Sequence, residues 1–275
     1  MAPAEVVATL LDLGRYVCSE RTMYRILERF GQNTIRWQAA PRSYVAPELL
    51  ATRPNQVWSW DISKLKGPRK WTYYYLYVIL DIFSRYVVGW MIADRERAEL
   101  ARMLITEACL EQDIQGDDLT IHADNGKPMI ARPVAQLMAD LGVTKSHSRP
   151  YCSNDNPFSE SAFKTLKYRP GFPDRFDSAL QARSFSRDFF GWYNNEHRHS
   201  GIAMLTPAMV HYQRHEGVLQ HRADVLIKAF QEHPERFVRG IPQVPSLPLE
   251  VWINRPASTV PIVVANTENI LSHSY

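Results

Sequence analysis

The chain has 275 residues, 45% of them hydrophobic and 22% charged, with a formal net charge of +3. That is an ordinary soluble composition, large enough for one sizeable core with flanking modules, and its mild basicity permits a nucleic-acid partner without demanding one. Three scattered cysteines, Cys18, Cys109 and Cys152, exclude a disulfide framework or a paired-cysteine zinc module, and no apolar run approaches the roughly 18 residues a membrane span needs.

The opening MAPAEVVATLLDLGRY has no basic region ahead of its apolar stretch, so a signal peptide is not supported and a cytoplasmic setting is expected. Val6, Leu10, Leu13 and Val17 space like one helical face, although Gly14 interrupts it. SERTMYRILERFG then starts with a Ser19 cap and stops at Gly31. Residues 1–31 therefore suit either a partial helix-turn-helix, offering Arg21, Arg25 and Arg29 to DNA, or a small helical hairpin packed on the core. Residues 32–53, broken by Pro41 and Pro47, read as a linker.

From residue 54 the texture changes. QVWSWDIS alternates around Asp61, WTYYYLYVILDIF is dense in aromatic and β-branched residues, and RYVVGWMIA follows a short turn. These predict three consecutive, antiparallel strands. Residues 95–112 predict a helix with Ala98, Ala101, Leu104, Ile105 and Ala108 inward. LTIHADNG predicts a short buried strand entering a turn. RPVAQLMADLG predicts a helix closed by Gly142, and VTKSHS another strand. A helix around Glu160 and one over 177–197 complete a mixed five-stranded sheet flanked by helices, spanning 54–212. Residues 213–275 read as an irregular, proline-broken extension in which LEVWINRP and TVPIVVAN could form short strands.

Asp61 lies in mid-strand between Trp60 and Ile62, a costly place for an acid unless it is paired or bound to a metal. Asp124 ends LTIHAD ahead of Asn125 and Gly126, where a carboxylate faces a crevice. Glu160 stands in the first turn of its helix, with Lys164 and Lys167 following on the same side, while Phe158, Ala162 and Leu166 anchor the other. Each acid alone has a bland reading: a turn residue, a cap, or a surface pair worth a few tenths of a kcal/mol. Together, three oxygen donors from a strand, a strand end and a helix suit Mg²⁺ or Mn²⁺, and two such ions serve phosphodiester chemistry. The lysines would then hold the backbone beside the break. Asp81 is expected to pair with Arg85, and Asp155 to cap a turn or helix. Glu107 is expected to be solvated. HRHSG at 197–201 reads as a packed or basic loop rather than a metal site, with Tyr193, Asn194 and Arg198 as candidates to line a DNA path.

The strand WSWDIS, the stretch YLYVILDIFSRYVVGW, the turn HADNG and the segment SRPYCSNDNPFSESAFKTLKYRP together resemble the integrase catalytic core of bacterial insertion-sequence transposases, relatives of retroviral integrases. WYNNEHRHSGIAMLTPAMVHY resembles the segment that follows that core. The resemblance implies a ribonuclease-H-like α/β fold and two-metal DNA strand transfer with Mg²⁺ or Mn²⁺. It implies the acidic triad Asp61, Asp124 and Glu160 as catalytic metal ligands, and DNA contacts at Asn125, Gly126 and Lys167. The implied partners are element ends and target DNA, met as a homo-oligomer beside nucleoid DNA, with a helix-turn-helix protein from an upstream reading frame as a further one. A zinc module of the retroviral type is not matched. Two other readings remain at this point: a catalytically silent DNA-binding regulator of a transposable element, and a general ribonuclease-H-like nuclease.

Overall fold

The computed structural model describes residues 3–30, 46–115, 118–149 and 155–256. The chain divides into two units, Met1–Tyr44 and Val45–Tyr275. In the first, α1 (Pro3–Asp12) and α2 (Glu20–Arg29) pack on each other. Gly14, at φ 71°, ends the first helical stretch before Val17 can join its face. Ser19 caps α2 by accepting from the Thr22 N–H at 3.3 Å. The expected stop at Gly31 lies outside the described residues.

In the second unit, β2 (Val57–Lys66), β3 (Tyr73–Asp81) and β4 (Val87–Ala93) form the expected antiparallel run. β5 (Thr120–Ala123) and β6 (Thr144–His147) add in parallel, giving the order β4-β3-β2-β5-β6. This is a ribonuclease-H-like mixed sheet. Strand alternation sorts β2 into two faces. Trp58 and Trp60 join Tyr77, Ile79 and Ile121 under α3 (Ala98–Glu111) and α5 (Arg132–Asp140). Leu65, Leu76, Val78 and Leu80 pack on the opposite side under α6 (Pro157–Lys167) and α7 (Ala179–Asn195). A short helix not foreseen, α4 (Lys127–Ile130), follows the Asp124 turn.

Two features depart from the expected linker and irregular tail. β1 (Leu49–Ala51), within the stretch read as a linker, pairs antiparallel with β7 (Val251–Ile253), the short strand expected in LEVWINRP. Three residues are too few for a visible periodicity, and partners 200 residues apart leave no local signal. The tail also contains an 18-residue helix, α9 (His215–Glu232), in which no residue is fully buried. Its weakly amphipathic pattern is what hid it. β1 and β7 share a third core with α8 (Pro207–His211), Ile82, Phe83, Ile202 and Leu205. TVPIVVAN, residues 259–266, lies outside the described residues. Among the described residues, no helix is long and apolar enough to cross a membrane.

Candidate active site

Asp61 shares the face of Ser59 and Ser63 on β2, opposite the tryptophans. Trp60 pairs in parallel with Ala123, so Asp124 emerges from β5 one residue later, beside Asp61. The third acid arrives on α6, whose start is fastened to β2 by polar groups. Ser59 Oγ bonds Asn156 Oδ1 and lies 2.5 Å from Ser159 Oγ, while Asn156 Nδ2 donates to the Trp60 carbonyl at 3.4 Å. Ser59, Asn156 and Ser159 are all buried. Ala162, Phe163 and Leu166 bury the inner side of α6, and Phe158 packs partly, so Glu160 is left at the rim with its side chain 40% exposed.

Asp61 lies within electrostatic reach of the other two acids. Burial pushes the Asp61 carboxyl up to about 7; the Ile62 N–H, donating at 2.7 Å, opposes this, and the charges of Asp124 and Glu160 add to it. Lys167 is the nearby cation that pulls it down. Asp124 Oδ1 accepts from Ser148 Oγ at 2.7 Å, and Glu160 lies 4.0 Å from Lys164 Nζ. Among the described residues, however, no three His, Cys, Asp or Glu side chains gather closely enough to hold a metal ion. Each carboxylate is turned to its own partner, Asp61 to the Ile62 N–H, Asp124 to Ser148 and Glu160 towards Lys164, as mutual repulsion favours. Their donor chemistry, oxygen only with a solvent-facing side, fits a divalent hard cation.

A second layer supports Asp124, and the sequence reading missed it. His122, fully buried on β5, directs Nε2 at the Asp155 carbonyl, 2.8 Å away, and its Nδ1 lies 3.0 Å from Ser146 Oγ. Burial lowers its pKa, so the ring is neutral and donates through Nε2. Asn125 Nδ2 donates to the Ser148 carbonyl at 2.6 Å, which ties the Asp124 turn to the end of β6. Asp155 is not a simple cap. Its side chain is 0% exposed and accepts from Arg149 N at 2.8 Å, Nε at 2.9 Å and Nη2 at 3.0 Å, and from Asn254 Nδ2 at 3.0 Å. Hydrogen bonds from Arg149 hold its pKa down to about 2.

Other expectations are corrected. Asp81 and Arg85 are joined through the backbone, Arg85 N donating to Asp81 O at 2.9 Å, and not by a side-chain ion pair: the Asp81 carboxylate is fully buried and accepts from the Asn55 N–H at 2.8 Å and from Ser84 N and Oγ at 2.7 and 2.6 Å. Arg85 bonds the Ile82 carbonyl and stacks on Phe158 at 4.2 Å. Tyr193 and Asn194 cannot line a DNA path, because both are buried; Asn194 bridges Val87 N and O at 2.9 and 3.0 Å. Arg198 is exposed and donates to Met204 O at 3.4 Å, within its own turn. His199 caps that turn by accepting from Gly201 N at 3.2 Å, and burial lowers its pKa to about 4. Glu107 is solvated. Lys164 and Lys167 are exposed on α6, and Asn125 is exposed beside Gly126, whose added Cβ would meet Met129 Sδ at 3.1 Å. Arg21 and Arg25 are exposed on α2, in the separate amino-terminal unit.

Two family profiles, each described as an integrase core domain, match residues 51–153 and 141–207. The transposase for insertion sequence element IS904 of Lactococcus lactis subsp. lactis (strain IL1403) is 29% identical over 209 residues, 75% of this chain and 79% of that protein. Transposase InsF for insertion sequence IS3A of Escherichia coli (strain K12) is 29% identical over 161 residues, 58% of this chain and 55% of InsF. The match thus spans about half the length of InsF. Among solved structures, an intasome of simian T-cell lymphotropic virus with PP2A regulatory subunit B56 gamma aligns over 76% of this chain and 74% of its own, at 19% identity and a TM-score of 0.45. The HTLV-2 integrase catalytic core domain in complex with magnesium aligns over 58% of this chain and 97% of its own, at 18% identity and a TM-score of 0.40.

Proposed function

We propose that this chain, which matches the integrase core domain over residues 51–207 and is similar to insertion-sequence transposases, cuts DNA at insertion-sequence ends and joins the freed 3′-hydroxyl to a target strand. The observation that carries this reading is that Asp61 in the middle of β2, Asp124 just past the end of the paired β5 and Glu160 in the first turn of α6 lie within electrostatic reach of one another: burial raises the Asp61 pKa and the charges of the other two acids add to it. In this reading the three carboxylates hold two divalent ions, Mg²⁺ or Mn²⁺. Such ions activate a water or 3′-hydroxyl and neutralise charge building on the phosphate. The protein's own part is placement. Ser59, Asn156 and Ser159 fix the α6 start, Ser148 orients Asp124, and Lys164 and Lys167 hold the DNA backbone past Glu160. Asn125 and Gly126 let DNA approach the turn. Arg198, and Arg21 and Arg25 of the amino-terminal helices, add contacts further out. The catalytic unit is 54–212, with 1–31 and 213–275 as DNA-binding and covering modules. Two element ends must be brought together, so the working form is a homo-oligomer on DNA, with a helix-turn-helix partner from an upstream frame supplying end recognition.

The test is Mg²⁺- or Mn²⁺-dependent cutting and joining of labelled DNA that carries the flanking element ends, with Glu160→Gln as control. Joined products lost in the variant are expected. DNA binding without chemistry in the wild type under any metal condition would replace this reading with that of a silent regulator, and cutting without joined products would replace it with that of a nuclease.

Two further outcomes follow from the same geometry. Ser148→Ala frees Asp124 from its orienting donor. Outer partners of metal-ligating groups are worth about 10–100-fold, so strand joining should slow by that amount and need more Mg²⁺. An unchanged Mg²⁺ titration would remove Ser148 from the site. The second outcome concerns pH. Between about 3.8 and about 7 the folded chain holds a proton on Asp61 that the unfolded chain has shed, so this group makes stability fall as pH rises through that window. A bound cation displaces that proton, so stabilisation by Mg²⁺ should grow from pH 6 to 8. Thermal melts with and without Mg²⁺ should show both trends in the wild type and lose both in Asp61→Asn.

A further inference from the structure

The hairpin joining β2 to β3 has a composition that the catalytic reading leaves unused. Between Asp61 and Asp81 the sequence holds four cations, Lys64, Lys66, Arg69 and Lys70, and no acid. At the tip stands Trp71, 77% exposed and at φ 69°, in the left-handed region that a bulky residue avoids. Burial does not explain this strain, because the indole is in solvent with Lys70 Nζ 5.4 Å from its centroid.

The tip is not a frayed loop. Gly67 N donates to Thr72 O at 2.8 Å, and Thr72 Oγ1 donates to Arg69 O at 2.7 Å. A Cβ on Gly67 would meet Thr72 Oγ1 at 2.6 Å, so the two sides of the turn touch. Arg175 Nη1 clasps the carbonyls of Gly67 and Arg69 at 3.0 and 3.2 Å, Lys66 Nζ pairs with Asp174 at 2.5 Å, and Phe176 N donates to Lys66 O at 2.9 Å. A turn fastened this firmly holds a strained aromatic outward among cations.

We propose that this hairpin is a second DNA subsite, in which Trp71 stacks on an unpaired base and Lys64, Arg69 and Lys70 hold the adjoining phosphates. Stacking needs a base with a free face, and a basic surface tracks the backbone on either side of it. The proposal rests on the strand-transfer reading for its location. Lys66 lies five residues beyond Asp61 on the same strand, about 17 Å at 3.4 Å per residue, or about five base steps along a duplex. Trp71 lies further out still, and because it needs a base with a free face the ligand is a splayed or single-stranded part of the DNA whose phosphate sits at the acids.

The experiment measures binding of the full chain to a duplex with a single-stranded overhang and to its blunt counterpart, across a salt series without divalent metal. Trp71→Ala should weaken overhang binding about 10-fold and blunt binding much less. Trp71→Phe should keep most of the preference. Arg69→Ala with Lys70→Ala should flatten the salt dependence by about two phosphate contacts. Trp71→Gly separates function from folding: glycine accepts φ 69° without strain, so its melting temperature should hold or rise while the overhang preference is lost. Equal overhang and blunt affinities in wild type and Trp71→Ala would overturn the proposal. So would a change in self-association with DNA binding intact, which would assign the tip to contact between chains. Because the measurement needs no catalysis, failure to join DNA would sink the transposition reading and leave this result standing, and the reverse also holds.

Discussion

Asp61→Asn is expected to slow strand cutting and joining by at least about 10³-fold, equivalent to roughly 4 kcal/mol of transition-state stabilisation. Asp124→Asn and Glu160→Gln should do the same. The physical signature lies in what else changes. Asp61 is half-buried between two other carboxylates, and burial raises its pKa to about 7, so in the metal-free chain its charge is a liability. An amide of the same shape removes the repulsion. The Asp61→Asn chain should therefore melt no lower than wild type at pH 8, and higher if the carboxylate is strained there. Affinity for element-end DNA should be unchanged or tighter, because a negative charge facing the phosphates is gone. Loss of chemistry with stability kept or gained is the pattern of a site maintained at a cost to the fold. Activity within tenfold of wild type, measured by joined product at saturating Mn²⁺, would remove Asp61 from the catalytic set.

The parts of this molecule legible in its sequence are those with local signals. Trp58, Trp60 and the run Tyr73–Asp81 carry strand alternation and β-branched density, so the antiparallel strands could be placed within two or three residues. Ala162 and Leu166 at helical spacing placed the inner side of α6, and so put Glu160 at its rim. The fine supports were not legible because their partners are far apart in the chain and of common types. Nothing local in Ser59 says that it meets Asn156 and Ser159, 97 and 100 residues on. His122 resembles any core histidine until the Asp155 carbonyl is seen opposite it. Tyr193 and Asn194 read in sequence as candidates to line a DNA path, but α7 turns both inward, and Asn194 is spent on the backbone of Val87 at the start of β4. Proximity in sequence suggests Arg85 as the partner of the Asp81 carboxylate. The turn instead hands the carboxylate to the backbone of Asn55 and to Ser84, and sends the guanidinium to Phe158. In each case an interaction distant in sequence displaced the local one.

The same kind of long-range contact yields the largest stability effect expected outside the acids. Asp155 is fully buried beside Arg149 and Asn254, and its own carbonyl accepts from His122. One residue thus joins the end of β6, the strand that carries Asp124, and the segment after β7. Removing the arginine leaves a buried carboxylate short of its main donor, a change that costs about 3–5 kcal/mol when charge is stranded in a protein interior. Arg149→Ala should lower the melting temperature accordingly, and Asp155→Asn added to it should recover part of the loss, since the stranded charge then disappears. The pH dependence has a definite sign. Asp155 is held at about 2 in the folded chain against 3.8 unfolded, so its contribution of about 2 kcal/mol is complete above the unfolded value and is lost as pH falls towards 2. The wild type should therefore destabilise more steeply than Arg149→Ala between pH 4 and 2. Joining activity should fall with Arg149→Ala even where the chain remains folded, because the Asp155 carbonyl that seats His122 is displaced and Ser148 with it. A loss below about 1 kcal/mol, the range of an exposed ion pair, would show that water reaches Asp155 and that the anchor is a surface contact.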